Sequence, residues 1–209
     1  MMDKLLISLF DHSGNASEPY RKAGWRVVQV DLKHGIDIMT WDIIQVLNQY
    51  TYALPEIGLI AMIPCTDYSL SGARHFARKD ADGTTAKSQL LVQRTKDIID
   101  FLDGERLLRF WQIENPMSRI HTLNPWMGSP VLKFNPCDYA GYDPIPENSR
   151  YNKRTWLWGK FNIPEKKYME PLSKENPGWK NLGGKSERTK ELRSITPLGF
   201  AYAFYEFNN

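Results

Sequence analysis

Apolar runs alternate with polar, turn-forming stretches along most of the chain, and their lengths predict an alternation of strands and helices. The run "KLLISLF" (4–10) predicts a buried strand that stops at the turn-rich "DHSGNASEP". "EPYRKAG" then predicts a short helix ended by Gly24, and "WRVVQVDL" (25–32) a second buried strand. "TWDIIQVLNQY" predicts another helix, and residues 57–63 a third strand that ends abruptly in Pro64 and Cys65. A polar loop over 66–83 leads into "TTAKSQLLVQRTKDIIDFLDG", which predicts a long helix. Hydroxyls would cap its start and Gly104 its end, with Leu91, Ile98 and Leu102 on one face. "RLLRFWQIENP" predicts a fourth strand, ending in Glu114 and a proline. Residues 131–161 carry the Pro, Gly and aromatic density of a β-meander or irregular strands, and "SITPLGFAYAFYEF" closes the chain as a proline-started apolar helix.

Strand, glycine loop, helix, strand is the opening of a doubly wound, mostly parallel, Rossmann-like α/β sheet with helices on both faces. Right-handed crossovers bring the ends of parallel strands to one edge, so Cys65 and Glu114 are expected to share a cleft there.

Composition narrows the picture. The 209 residues, 42% of them hydrophobic, suffice for one domain with a real core and are too few for two complete ones. The N-terminal stretch is too poor in apolar residues for a signal-peptide core or a membrane span, so the expectation is a cytoplasmic protein without membrane contact. In that compartment Cys65 and Cys137 are expected as free thiols. The 4 His and 2 Cys have no metal-ligand spacing, and no metal site is expected. Net charge is only +3, yet residues 150–193 hold 12 Lys/Arg against 5 Asp/Glu, a net +7 that leaves −4 for the rest. That asymmetry suits a polyanion partner, although a solvated lysine-rich surface would read the same way.

Taken in order, the motifs resemble those of the S-adenosylmethionine-dependent DNA cytosine-5 methyltransferases, short phage-type members above all. "LFDHSGNASEPYRKAGWRVVQVDL" resembles the cofactor-binding opening of that family, "IPCTDYS" its Pro-Cys loop and "IENP" its Glu-Asn motif. "NKRTWLWG" is similar to its basic motif entering a strand, and "RSITPLGFA" to its last, proline-centred motif. His12 and Asn15 stand where glycines are common in the family, Arg150 where Gln is usual and Asn152 where an Arg is usual.

The resemblance implies roles. Cys65 would attack carbon-6 of cytosine, because a thiolate is both a nucleophile and a leaving group. Glu114 would protonate or hydrogen-bond ring N3, with Pro64 and Asn115 holding the pair and Arg154 supporting the base. Phe10, Ser13, Gly14, Asn15, Asp31, Leu32, Asp37, Ile38, Ser194 and Thr196 would surround S-adenosylmethionine and its product S-adenosylhomocysteine, Asp31 taking the ribose hydroxyls. Ser69, Arg74, Arg78 and Lys79 in the loop after the cysteine, together with Lys153, would contact nucleic acid.

The expected organisation is a catalytic and cofactor-binding core over 1–159, a basic insert over 160–192 in place of a target-recognition domain, and a segment over 193–209 returning to the core. An insert of that size is too small for its own core, which implies short or relaxed specificity, or an accessory specificity protein. A monomer is favoured over an oligomer. Alternatives stay open: the same chemistry on RNA or a free cytosine nucleotide, or a nucleic-acid-binding homologue that has lost turnover. A thiol hydrolase lacks a suitable His partner for Cys65.

Overall fold

The computed structural model describes residues 3–173 and 187–209, and within them the chain is an α/β structure built on a six-stranded, mostly parallel sheet. The strands are β1 (Lys4–Leu9), β2 (Arg26–Val30), β3 (Glu56–Met62), β4 (Leu108–Pro116), β5 (Leu132–Phe134) and β6 (Thr155–Lys160), ordered β2-β1-β3-β4-β6-β5. β2, β1, β3 and β4 are mutually parallel, and β6 runs antiparallel to both of its neighbours. Strand order reverses at β1, whose two neighbours lie next in sequence on opposite sides. Crevices at the carboxyl ends of such strands are where open α/β sheets bind ligands.

The central strands read as continuous apolar runs because both of their faces are covered. Leu5, Ile7 and Leu9 of β1 join one core with α2 (Ile43–Leu47) and α4 (Thr84–Gly104). Leu6, Ile60 and Phe110 join a second with Tyr20 of α1 (Glu18–Lys22) and with Phe200 and Phe204 of α7 (Leu198–Phe207). That second core is largely aromatic: Phe134 stacks on Phe200 at 4.3 Å, and Tyr20 meets Trp25 and Tyr205 edge-on at 5.0 Å. Each such pair adds roughly 0.5–1.5 kcal/mol beyond area burial. The terminal helix is thereby pressed onto the sheet, and Tyr20 Oη donates to the Asn208 carbonyl at 3.1 Å.

Local structure departs from the sequence expectation where polar side chains compete for the backbone. The second helix covers only Ile43–Leu47, because Asp42 Oδ1 accepts from the Ile44 N–H and caps it there. At the start of α4 the cap position is held by Gly83, and Asp82 rather than a threonine accepts from the Thr84 N–H. Gly104 is the last helical residue and Glu105 the C-cap. The stretch expected as a loop after Cys65 is mostly helical, with a 3-10 turn at Leu70–His75 and α3 (Phe76–Ala81). Residues 131–161 form two strands joined by 3-10 turns rather than a meander. The remaining helices are α5 (Ile120–Leu123) and α6 (Glu187–Ser194).

Of the insert, residues 161–172 run along the core: Lys167 O accepts from Gly141 N (2.9 Å), Cys137 O from Met169 N (3.0 Å) and Arg150 O from Leu172 N (2.9 Å). Lys166 and Lys167 pair with Asp138 and Glu206. Lys180 and Lys185 lie outside the described residues. No helix among the described residues is long and apolar enough to cross a membrane.

One backbone position makes a stability test. Gly159 sits at φ +144°, and a Cβ there would lie 2.1 Å from the Trp111 carbonyl oxygen of the neighbouring strand. Gly159→Ala therefore has to part β4 from β6, and its expected cost is about 3 kcal/mol or more, read as a lower midpoint in urea unfolding.

Candidate active site

Three loops meet the carboxyl edge of the sheet. After β1, Phe10 takes φ +60°, rare outside glycine, while its N–H donates to Val30 O at 2.8 Å. The cause lies one residue on: Asp11 is 3% exposed, and its Oδ2 accepts from Ser8 Oγ (2.9 Å), Ser17 N (3.1 Å) and Ser17 Oγ (2.8 Å). A carboxylate drawn under the loop this way forces the turn above it. Gly14, at φ +73°, closes that turn onto Asp11 O at 3.1 Å, and a Cβ there would come 3.3 Å from Gln29 Nε2. Ser13 and Asn15 lie on the outer side, and Asn15 Nδ2 donates to Thr196 O at 3.2 Å, tying the loop to the C-terminal segment. Sequence reasoning missed Asp11; its signal was a carboxylate at a strand end flanked by Ser8 and Ser17. Asp11→Ala strands several buried donors at once and is expected to cost about 2–4 kcal/mol in urea unfolding.

At the end of β2, Asp31 is half-buried and spends Oδ1 on the Lys33 N–H at 2.8 Å, while Leu32 is exposed. Asp37 caps its own turn through the Met39 N–H at 2.9 Å, and Ile38 is buried beside it. Arg94 of α4 fixes this turn by donating to the carbonyls of Ile38 (3.2 Å) and Trp41 (2.7 Å). Ser194 is exposed and donates to Glu191 O, whereas Thr196 is buried.

The third loop leaves β3. Cys65 O accepts from the N–H groups of Tyr68 (3.0 Å) and Ser69 (2.8 Å), a tight turn that follows the exposed Pro64 and leaves the thiol half-buried. β4 lies alongside in register, Met62 opposite Glu114, and buried Asn115 donates through Nδ2 to Ile63 O at 2.9 Å. The cysteine and the glutamate are thus brought together by adjacent strands. Burial pushes the Cys65 thiol up, the Glu114 carboxylate pushes it further, and Lys153 and Arg193 pull it back. Burial also raises Glu114, against the pull of Lys153. Glu114 Oε1 is withdrawn from solvent with no hydrogen-bond partner among the described residues.

Lys153 reaches this pair from the segment before β6, its Nζ donating to Arg193 O at 2.9 Å. Its neighbour Arg154 is exposed, with its guanidinium 3.9 Å from Met117 Sδ. Lys153, expected to contact nucleic acid, is thus a cation beside the thiol and the carboxyl, while Arg154, expected to support the base, is exposed. Tyr151 is a further neighbour, its hydroxyl raised by burial and then by Glu114.

Of the expected clamp residues, Ser69 meets Ser71 at 2.9 Å, Arg74 meets His75 at 3.1 Å and Arg78 pairs with Asp82 at 2.8 Å, all at the surface. Lys79 is turned inward onto Asp67 Oδ1 (2.6 Å) and Thr66 O (2.7 Å) and holds the turn after Cys65. Arg119 completes that anchorage. Its guanidinium binds both oxygens of Asp80 (2.7 and 2.8 Å), lies 3.6 Å from the Phe76 ring centre and holds the Asp80 carboxyl down at about 2.

The described residues contain no cluster of three or more His, Cys, Asp or Glu able to hold a metal. Both cysteines are free thiols. No protein-family model matches the chain, and no curated protein matches it either.

Proposed function

We propose that the chain transfers a methyl group from S-adenosylmethionine to carbon-5 of cytosine in DNA, as a short member of the cytosine-5 methyltransferases with a Rossmann-like fold. The observation that carries this reading is the meeting of Cys65 and Glu114 at the ends of two adjacent parallel strands, close enough for the carboxylate to shift the thiol. A thiol and a raised carboxyl side by side are what attack on an electron-poor pyrimidine needs.

The residues fit the methyl donor. Phe10 offers a half-buried ring, Ile38 an apolar wall, and Asp31 a carboxylate oxygen not used by the Lys33 N–H. When bound there, S-adenosylmethionine supplies an electrophilic methyl on sulfur. Cys65, as the thiolate after giving its proton to water, would bond to carbon-6, the carbon-5–carbon-6 π pair would shift into the carbon-5–carbon-4–N3 system, and N3 would take the proton from Glu114. Carbon-5 would then use that pair to take the methyl, the S–CH3 bond breaking and S-adenosylhomocysteine leaving with its bonding pair. The carbon-5 hydrogen would pass as a proton to solvent water, its bonding pair would re-form the carbon-5–carbon-6 double bond and expel Cys65 as the thiolate, and N3 would return its proton to Glu114. Lys153 favours the thiolate while this proceeds. Exposed Arg74 and Arg78 and the basic 150–193 stretch supply the charge that a polyanion needs.

The test is transfer of labelled methyl to duplex DNA, single-stranded DNA, RNA and free dCMP in parallel. Label on DNA cytosine supports the reading, label confined to RNA or dCMP keeps the chemistry and moves the acceptor, and no label on any of the four overturns it.

A further inference from the structure

Gln112 precedes Glu114 by two residues on β4 and so shares its side of the strand. It is 2% exposed, an unusual place for an amide. Its Nε2 turns to Met62 Sδ at 4.0 Å, and Oε1 has no hydrogen-bond donor among the described residues. Glu114 Oε1 is in the same condition. Both side chains line one small cavity of about 10 Å³ between the sheet and α7, walled by Met62, Phe200 and Phe204 with Thr196 at its side. A buried acceptor without a donor forfeits its hydration with nothing in return, so two facing one cavity call for a shared donor. The cavity is the size at which one water fits, and water carries two O–H groups.

We propose that Gln112 is a positioning residue for Glu114, acting through one buried water that donates to Gln112 Oε1 and to Glu114 Oε1. With Oε1 occupied as an acceptor, the carboxyl proton resides on Oε2, where it is available to a ring nitrogen beside Cys65. The catalytic meaning rests on the methyl-transfer reading; the water and its effect on Glu114 do not. Among the described residues Lys153 pulls the Glu114 carboxyl down, and Glu114 in turn raises Cys65 and Tyr151, while α7 lines the cavity with Phe200, Ala201 and Phe204.

The experiment is a carboxyl-carbon NMR titration of Glu114 in the full chain, assigned with Glu114→Gln, in the unsubstituted protein and in Gln112→Leu, beside a high-resolution crystal structure of the former. Gln112→Met serves as the second variant should leucine prevent folding. The expected results are an ordered water within hydrogen-bonding distance of both oxygens and an upward move of the Glu114 midpoint by about one pH unit in the variant. The direction follows because a donor to the charged form is lost. A cavity without water, or an unmoved midpoint in a folded variant, overturns the proposal. A moved midpoint in a protein that methylates none of the four acceptors leaves Gln112 in its role and removes the methyl-transfer reading instead.

Discussion

Cys65→Ala is expected to reduce methyl transfer to DNA cytosine by at least ~10³-fold, about 4 kcal/mol of transition-state stabilisation, while leaving the fold and cofactor binding in place. The size of the loss follows from the chemistry. Without a bond at carbon-6, carbon-5 remains part of an aromatic ring and has no electron pair to offer. The harmlessness to the fold follows from the site: Cys65 is half-buried at a turn whose bonds run through its backbone carbonyl, and these survive the substitution. The check is the labelled-methyl assay together with calorimetric titration of S-adenosylmethionine. A variant that still methylates at a tenth of the original rate would remove the covalent mechanism.

Glu114→Gln is expected to move two measurements in opposite directions. Methyl transfer should fall by ~10²–10³-fold, since the amide keeps the size of the side chain but has no acidic proton for N3. Alkylation of Cys65 by iodoacetamide should become faster at a given pH below its midpoint. Burial, the larger cause of the raised thiol, is unchanged by the substitution, but the second cause, the neighbouring carboxylate, is gone. The thiolate then forms at lower pH, so the alkylation midpoint should drop and the reactive fraction below it should rise. Lys153→Met should shift the midpoint upward, because Lys153 is the leading charge that lowers it. If the midpoint stays fixed in both variants, the thiol and the carboxyl are not coupled, and the case for a common site weakens with them. Because unfolding would also relieve the burial that raises Cys65 and would speed its alkylation, the comparison is made on variants whose circular dichroism and urea midpoint match those of the unsubstituted protein.

Much of the framework was legible in the chain. The runs 4–10, 57–63 and 106–116 became the inner strands β1, β3 and β4, while 25–32, expected as a buried strand, became the edge strand β2, of which only Val30 is buried. The helix over 84–104 matched its predicted span, its buried positions Val92, Thr95, Ile98, Ile99 and Leu102 repeating at helical spacing. The proline-started terminal helix was equally plain. Cys65 and Glu114 could be placed at one edge from strand order and the handedness of crossovers alone.

Other features depended on distant groups. Nothing local says that Lys79 folds back onto Asp67, that Arg119 pins Asp80, or that the polar stretch after Cys65 is helical, since each depends on a partner 12 to 39 positions away. Lys153 and Arg154 are adjacent cations that the sequence treats alike; the packing of the segment before β6 puts Lys153 beside Cys65 and Glu114 and leaves Arg154 exposed. Asp11 looked like a turn residue until three hydrogen bonds from Ser8 and Ser17 converged on one of its oxygens. Periodicity and residue type determined which segments are buried and which chemistry stands at their ends, because burial of apolar surface is a property of each segment's own side chains. The tertiary structure decided which charges and amides face one another, because a polar side chain's partner is set by the packing of other segments.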